Sequence, residues 1–191
     1  MDFSHVLVAL ATIAVIAVLI IGGKATIGPT GVEISTEGVL SALRKAAEAK
    51  KQTLPDETAL RSQIDGLNRS RARLPVASVL WVDDHPLSNQ RERLAMAEAG
   101  LFVDAYATNA DGLEALHRQP YDMLISDIVR DESTETGWDL LDAARKARPE
   151  LPLLVYAGYV DEERKAKASN LGAAITDSPG TLFQWVLTKA R

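Results

Sequence analysis

Three aspartates carry the chemistry most legible in this sequence. Two are adjacent, in Val82-Asp83-Asp84-His85-Pro86, and the third lies in Ser126-Asp127-Ile128-Val129. Each stretch follows a short apolar run, VASVLWV at 76–82 and YDMLIS at 121–126. If those runs are strands of one parallel sheet, the three carboxylates gather at one edge, since ligand sites in such sheets lie beyond the carboxyl ends of the strands. Close like charges raise one another's pKa unless a cation intervenes. Mg²⁺ suits such a place, taking one or two carboxylates with waters and a phosphate oxygen. A single Asp is as often a helix or turn cap. Three at the strand ends of one sheet point instead to a metal site. His85 stands beside the acidic pair, but Mg²⁺ favours carboxylates, so His85 reads as a helix-start residue. The chain has no cysteine, which excludes thiolate metal sites, cysteine nucleophiles and disulfides.

The elements that must position these groups follow a regular alternation. Apolar runs at 76–82, 101–106, 121–126, 151–156 and 173–176 alternate with helix-like stretches near 87–99, after Thr108 or Asn109, at 138–146, from about 161 and at 180–190. Continuous apolar strands alternating with helices predict an α/β fold, a five-stranded parallel sheet with helices on both faces. Trp81, Trp138 and Trp185 read as packing residues. His117 falls on an exposed helix face with no partner at useful spacing.

VLWVDDHP, YDMLISDI and the five-fold alternation resemble the receiver domain of bacterial two-component response regulators, over about residues 76–191. The resemblance implies a flavodoxin-like receiver fold with Asp127 as the phosphoacceptor. It implies Asp84 as a direct Mg²⁺ ligand, Asp83 as its supporting partner and the backbone carbonyl of Val129 as a further ligand. Asp127 would then attack a phosphohistidine on a sensor histidine kinase or other signalling protein. Three positions and one loop depart from the family pattern. Tyr156 stands where receivers carry Thr or Ser, followed by the usual small residue, Ala157. Ser178, before Pro179, stands where they carry Lys. Ile175 replaces the switch aromatic, and the expectation is that the Tyr156 ring fills the space that aromatic leaves. The loop from Asp127 to Gly137, with Asp131, Glu132 and Glu135, is longer than the family's usual one. Losing the Lys removes a charge-assisted hydrogen bond to the phosphoryl group. A phosphate-independent pseudo-receiver scaffold is therefore the alternative. An aspartyl-phosphate phosphatase or phosphotransferase fits less well, because Asp83-Asp84-His85 lacks a second acid two residues after the first. No enzymatic turnover is expected.

The rest of the chain differs in character. Residues 6–21 are apolar except Thr12, a helix of about 24 Å that extends to roughly 31 Å over 3–23, enough for one membrane crossing. The start MDFSH lacks the basic region of a cleaved signal peptide, so residues 1–23 read as a transmembrane anchor. Lys24, Arg44, Lys45, Lys50 and Lys51 follow it, which predicts a single-pass cytoplasmic-membrane protein with its C-terminal domain in the cytoplasm. Residues 24–75 form a juxtamembrane connector with nine Lys/Arg against six Asp/Glu. It reads as a strand, a turn at 28–31, a strand, and a helix from Ser35 or Thr36 to about Gln52 with Val39, Leu43 and Ala46 on one face. A second helix carries Leu60, Ile64, Leu67 and Leu74 at heptad spacing, interrupted by Arg71. It reads as a solvated spacer helix leaning on its neighbour, with at most a weak homodimer seam. Residues 76–191 hold twelve Lys/Arg against nineteen Asp/Glu, and the whole chain has net charge −5, which argues against nucleic-acid binding. These 116 positions are expected to fold alone, with output arising from location, connector or a separate partner.

Overall fold

The computed structural model describes residues 26–28, 31–33, 35–54, 56–70, 77–129 and 136–190. The expected anchor over 1–23, and also Arg71, Leu74, Asp131, Glu132 and Glu135, lie outside them. Among the described residues no helix is long and apolar enough to cross a membrane. The connector begins with an antiparallel pair, β1 (Thr26–Gly28) and β2 (Gly31–Glu33), in which Gly28 pairs with Gly31. Both glycines thus belong to strands rather than to the turn expected at 28–31. Helix α1 (Thr36–Ala49) starts where Ser35 accepts a hydrogen bond from the Gly38 N–H, a cap that satisfies one of the free amides of the first turn. Helix α2 (Glu57–Ser70) follows.

The remainder alternates strand and helix as its periodicity predicts. The elements are β3 (Ser78–Val82), α3 (Gln90–Glu98), β4 (Phe102–Tyr106), α4 (Asn109–Arg118), β5 (Met123–Ser126), α5 (Gly137–Ala147), β6 (Leu153–Tyr156), α6 (Glu162–Asn170), β7 (Ala174–Thr176) and α7 (Pro179–Lys189). The five strands run parallel in the order β4-β3-β5-β6-β7. Period-two alternation divides their side chains between two layers. Val79, Trp81, Met123, Ile125, Leu154 and Tyr156 face α3 and α7, while Leu80, Val82, Leu124, Leu153 and Val155 face α4 and α5.

The first layer does not end at α3 and α7. Val39, Leu40 and Leu43 of α1, with Leu60 and Ile64 of α2, join its core, none more than 1% exposed. The packing therefore crosses residue 75. The reading of α2 as a solvated spacer is corrected at Leu60 and Ile64, which are buried inside this chain and so are not free to form a seam with a second copy; the side chain of Leu67, like Leu74, lies outside what is described. Charge ties the two helices as well. Arg44 pairs with Glu37 and Glu57, and Arg61 with Glu37. Thr36 also donates to Asp65 at 2.7 Å.

Candidate functional site

Asp83 and Asp127 leave the sheet side by side, one residue beyond the paired Val82 and Ser126 of β3 and β5. Backbone bonds fix both: Asp83 N–H donates to the Tyr106 carbonyl at 2.9 Å and Asp127 N–H to that of Val82 at 3.1 Å. The Asp83 carboxylate is buried and held on both oxygens. Oδ1 accepts from the His85 N–H at 2.8 Å, and Oδ2 from Asn89 Nδ2 at 2.6 Å. Asn89 is itself oriented by Arg93, whose Nε donates to its Oδ1 at 2.9 Å. Asp84 is more open, and its Oδ1 lies 3.5 Å from His85 Nδ1. Asp83, Asp84 and His85 each offer a ligand atom, all within 4.8 Å of one another. Asp127 is not in that group. It sits on the adjacent strand end with Oδ1 accepting from the Ile128 N–H at 2.7 Å. Val129, two residues further, is exposed. Asp83, Asp84 and Asp127 offer hard carboxylate oxygens, the chemistry a small divalent cation takes, and His85 adds an imidazole nitrogen beside Asp84.

The polypeptide after Asp127 is held close by Gly137. A Cβ there would stand 1.7 Å from the Asp127 carbonyl oxygen and 2.8 Å from Ser126 Oγ. Gly137 N–H donates to the Ile128 carbonyl at 2.8 Å, so the backbones touch where a side chain cannot fit. The next turn is anchored by Asp139, whose carboxylate accepts from Thr136 N–H at 2.7 Å and Oγ1 at 2.8 Å. Those bonds hold the Asp139 carboxyl below the usual carboxylate range.

Tyr156 behaves differently from the expectation. Its ring lies in the α3/α7 layer, edge-on to Trp81 with centroids 5.7 Å apart, whereas Ile175 packs on the opposite face. The ring therefore does not fill the space left by a switch aromatic; the sheet's alternation puts the two positions on opposite sides. Its hydroxyl donates to Glu92 Oε1 at 2.7 Å, and Glu92 is only 2% exposed. Lys50, from the end of α1, completes the group, with Nζ 3.7 Å from Glu92 Oε1 and 3.9 Å from the Tyr156 ring centroid. Burial above all, then the Glu92 carboxylate, pushes the Tyr156 phenol far above its ordinary value. Ala157 is buried behind it. Ser178 is a helix cap: its side chain accepts from the Thr181 N–H as α7 begins at Pro179.

Asn89, Glu92 and Lys50 escaped the sequence reading. The available signal was Glu92, a charged residue on the stripe that α3 otherwise fills with Ala95 and Met96. A buried acid at such a place needs a partner.

A family model described as "Response regulator receiver domain" matches residues 79–176, just over half of the chain. The chain belongs to the response regulator receiver domain family. It is similar to the transcriptional regulatory protein PcoR of Escherichia coli, with 27% identity over 95 residues. That match covers 50% of this chain and 41% of PcoR, so the chain spans about two-fifths of that relative's length. Among solved structures, the chemotaxis protein CheY4 of Vibrio cholerae is 24% identical with a TM-score of 0.53, covering 61% of this chain and 100% of CheY4. The response regulator protein TrrA of Thermotoga maritima, solved in complex with Mg(2+)-BeF, is 17% identical with a TM-score of 0.53 over 60% of this chain and 99% of TrrA. These structures share the receiver fold, and it occupies the part of the chain that follows α2.

Proposed function

We propose that this receiver binds Mg²⁺ at Asp83, Asp84, Asp127 and the Val129 carbonyl, and accepts a phosphoryl group on Asp127 from a histidine kinase. In this reading residues 1–23 anchor it to the cytoplasmic membrane with the receiver on the cytoplasmic side. It signals through contact with other proteins and has no turnover of its own. The observation that carries the site reading is that β3 and β5 end side by side, with Asp83 and Asp127 each one residue beyond the paired Val82 and Ser126 and Asp84 next to Asp83. Asp83, whose oxygens are taken by His85 N–H and Asn89, is suited to orient rather than bind directly. Asp84 and Asp127 are the direct ligands. In the transfer, an Asp127 carboxylate oxygen forms a bond to phosphorus as the phosphorus–nitrogen bond breaks, and the histidine nitrogen keeps the electron pair. Bound Mg²⁺ supplies positive charge against the phosphoryl oxygens.

Tyr156 and Ser178 favour a second reading, in which the receiver acts without phosphate. The Tyr156 hydroxyl is engaged by Glu92 within the α3/α7 layer, and Ser178 caps α7. Neither offers the hydroxyl or the cation that receivers place on the phosphoryl group.

Titration with beryllium fluoride and Mg²⁺ separates the two. Wild type should bind the pair, and Asp127→Asn and Asp84→Asn should each weaken binding by roughly ten- to a hundredfold, the scale of a lost charge-assisted contact. Glu163→Gln, on the exposed face of α6, should bind as wild type does. Binding of Mg²⁺ without beryllium fluoride would favour the phosphate-independent reading. Binding of neither would overturn the metal site.

A further inference from the structure

The end of α1 reaches two places on the receiver at once. Lys50 covers Tyr156 and pairs with Glu92, and two residues on, Gln52 Nε2 donates to the Asp177 carbonyl at 3.3 Å. Asp177 directly follows β7 and precedes the Ser178 cap. These contacts involve charge, not only apolar burial. Glu92 is 2% exposed and Tyr156 4%, so the carboxylate sits where an unpaired charge is costly. Lys50 keeps 28% of its side chain in solvent. It can swing outward without opening the core, and Glu92 cannot. The acidic edge is tied to the same turn of α3: Asn89, three residues before Glu92, donates to Asp83 Oδ2.

We propose that the α1–α2 hairpin is a regulatory strap, latched by Lys50 over Glu92 and Tyr156, and that the latch and the acidic edge are coupled through the first turn of α3. With the strap latched, Lys50 neutralises Glu92, Tyr156 is fixed in the α3/α7 layer and Asn89 holds Asp83. When Lys50 leaves, Glu92 keeps its bond from the Tyr156 hydroxyl but loses its cation. The first turn of α3 then shifts to carry Glu92 toward water. That shift moves Asn89 away from Asp83 and frees Tyr156. Coupling of this kind is reciprocal: whatever repositions Asp83 or Tyr156 also loosens the latch, and release of the latch alters the site. Because α1 follows β2 directly, an event on the N-terminal side of the receiver gains a route to its strand ends.

Hydrogen exchange on the full chain in detergent micelles tests the latch. Lys50→Met keeps the side-chain length and helix propensity but removes the charge. It should accelerate amide exchange roughly tenfold over residues 43–49 of α1 and 93–98 of α3, the signature of local opening rather than global unfolding. Lys50→Arg should stay within about twofold of wild type, because it restores the cation. Tyr156→Phe, which removes only the hydroxyl, should loosen the same two segments. Protection in α5 reports that each variant is folded. Unchanged protection of α1 in Lys50→Met overturns the latch. Loosening of α1 without α3 overturns the coupling and leaves the hairpin as packing. Loss of protection in α5 in both variants would make Lys50 and Tyr156 carriers of global stability, which also overturns the proposal. A Mg²⁺ titration of the same variants rests on the acidic edge being a metal site. If wild type binds no Mg²⁺, that site reading fails while the exchange data still decide the strap.

Discussion

Burial, followed by the Glu92 carboxylate and its hydrogen bond, pushes the Tyr156 phenol far above its ordinary value of 10.0. Tyr121 is displaced in the same direction, chiefly by burial and then by its bond to Asp104. The sign of the consequence is fixed by linkage. Above pH 10 the unfolded chain loses these phenolic protons while the folded chain keeps them, so the contribution to stability is complete below pH 10 and falls as pH rises. Each such group costs about 1.4 kcal/mol per pH unit in that window. Tyr156→Phe should therefore flatten the loss of stability between pH 10 and pH 11, measured by urea unfolding at fixed ionic strength. An unchanged slope would mean that the hydroxyl is solvated in the folded protein. At this scale the sequence located the three aspartates well, because a strand end can be read from an apolar run. It did not disclose Lys50 or Glu92, whose pairing joins positions 42 residues apart. It also misassigned the Tyr156 ring, because the face a strand residue occupies depends on a register that a four-residue strand does not display.

Among the elements, the approach of α5 to β5 sets the tightest tolerance. Gly137 N–H is bonded to the Ile128 carbonyl, and its missing Cβ leaves room for the Asp127 carbonyl. The Thr136–Asp139 bonds fix the start of the helix, so neither side can yield cheaply. Gly137→Ala should destabilise the protein by about 1–3 kcal/mol, the usual cost of overpacking a close contact. It should also weaken Mg²⁺ binding, since relief requires the Asp127 backbone to move. A lowered urea midpoint with unaltered Mg²⁺ affinity would place the strain in α5 alone. The strands and helices themselves were legible. Helix α3 was the main exception, beginning at Gln90 rather than near 87, with Leu87 left 81% exposed. Leu87 looked like a helix residue by type, yet Pro86 and the Asp83–His85 bond turn the chain before the helix can start.

Across the whole molecule, the feature least accessible to sequence was where α1 and α2 dock. The positions of Val39, Leu43 and Ala46 say that one face of α1 is buried, but periodicity does not name the surface that buries it. The structure gives that surface as the outer side of the α3/α7 layer, and the prediction about truncation changes accordingly. A chain beginning at residue 77 lacks Val39, Leu40, Leu43, Leu60 and Ile64, each essentially fully buried, and exposes what they cover. Burying one such side chain is worth about 1.5–3 kcal/mol as an upper estimate. Five of them together rival the roughly 5–15 kcal/mol by which a whole domain is stable. A chain spanning 35–190 should therefore be monodisperse and unfold cooperatively in urea. The chain spanning 77–190 should aggregate or melt at a much lower urea concentration, rather than fold alone as its length suggests. Adding the separate peptide 35–70 should restore part of the lost midpoint, because the covering face is self-contained in that segment. Equal midpoints for the two chains would show that the hairpin rests on the receiver without stabilising it, and a receiver stable without its cover would have to hold its α3/α7 face by its own contacts.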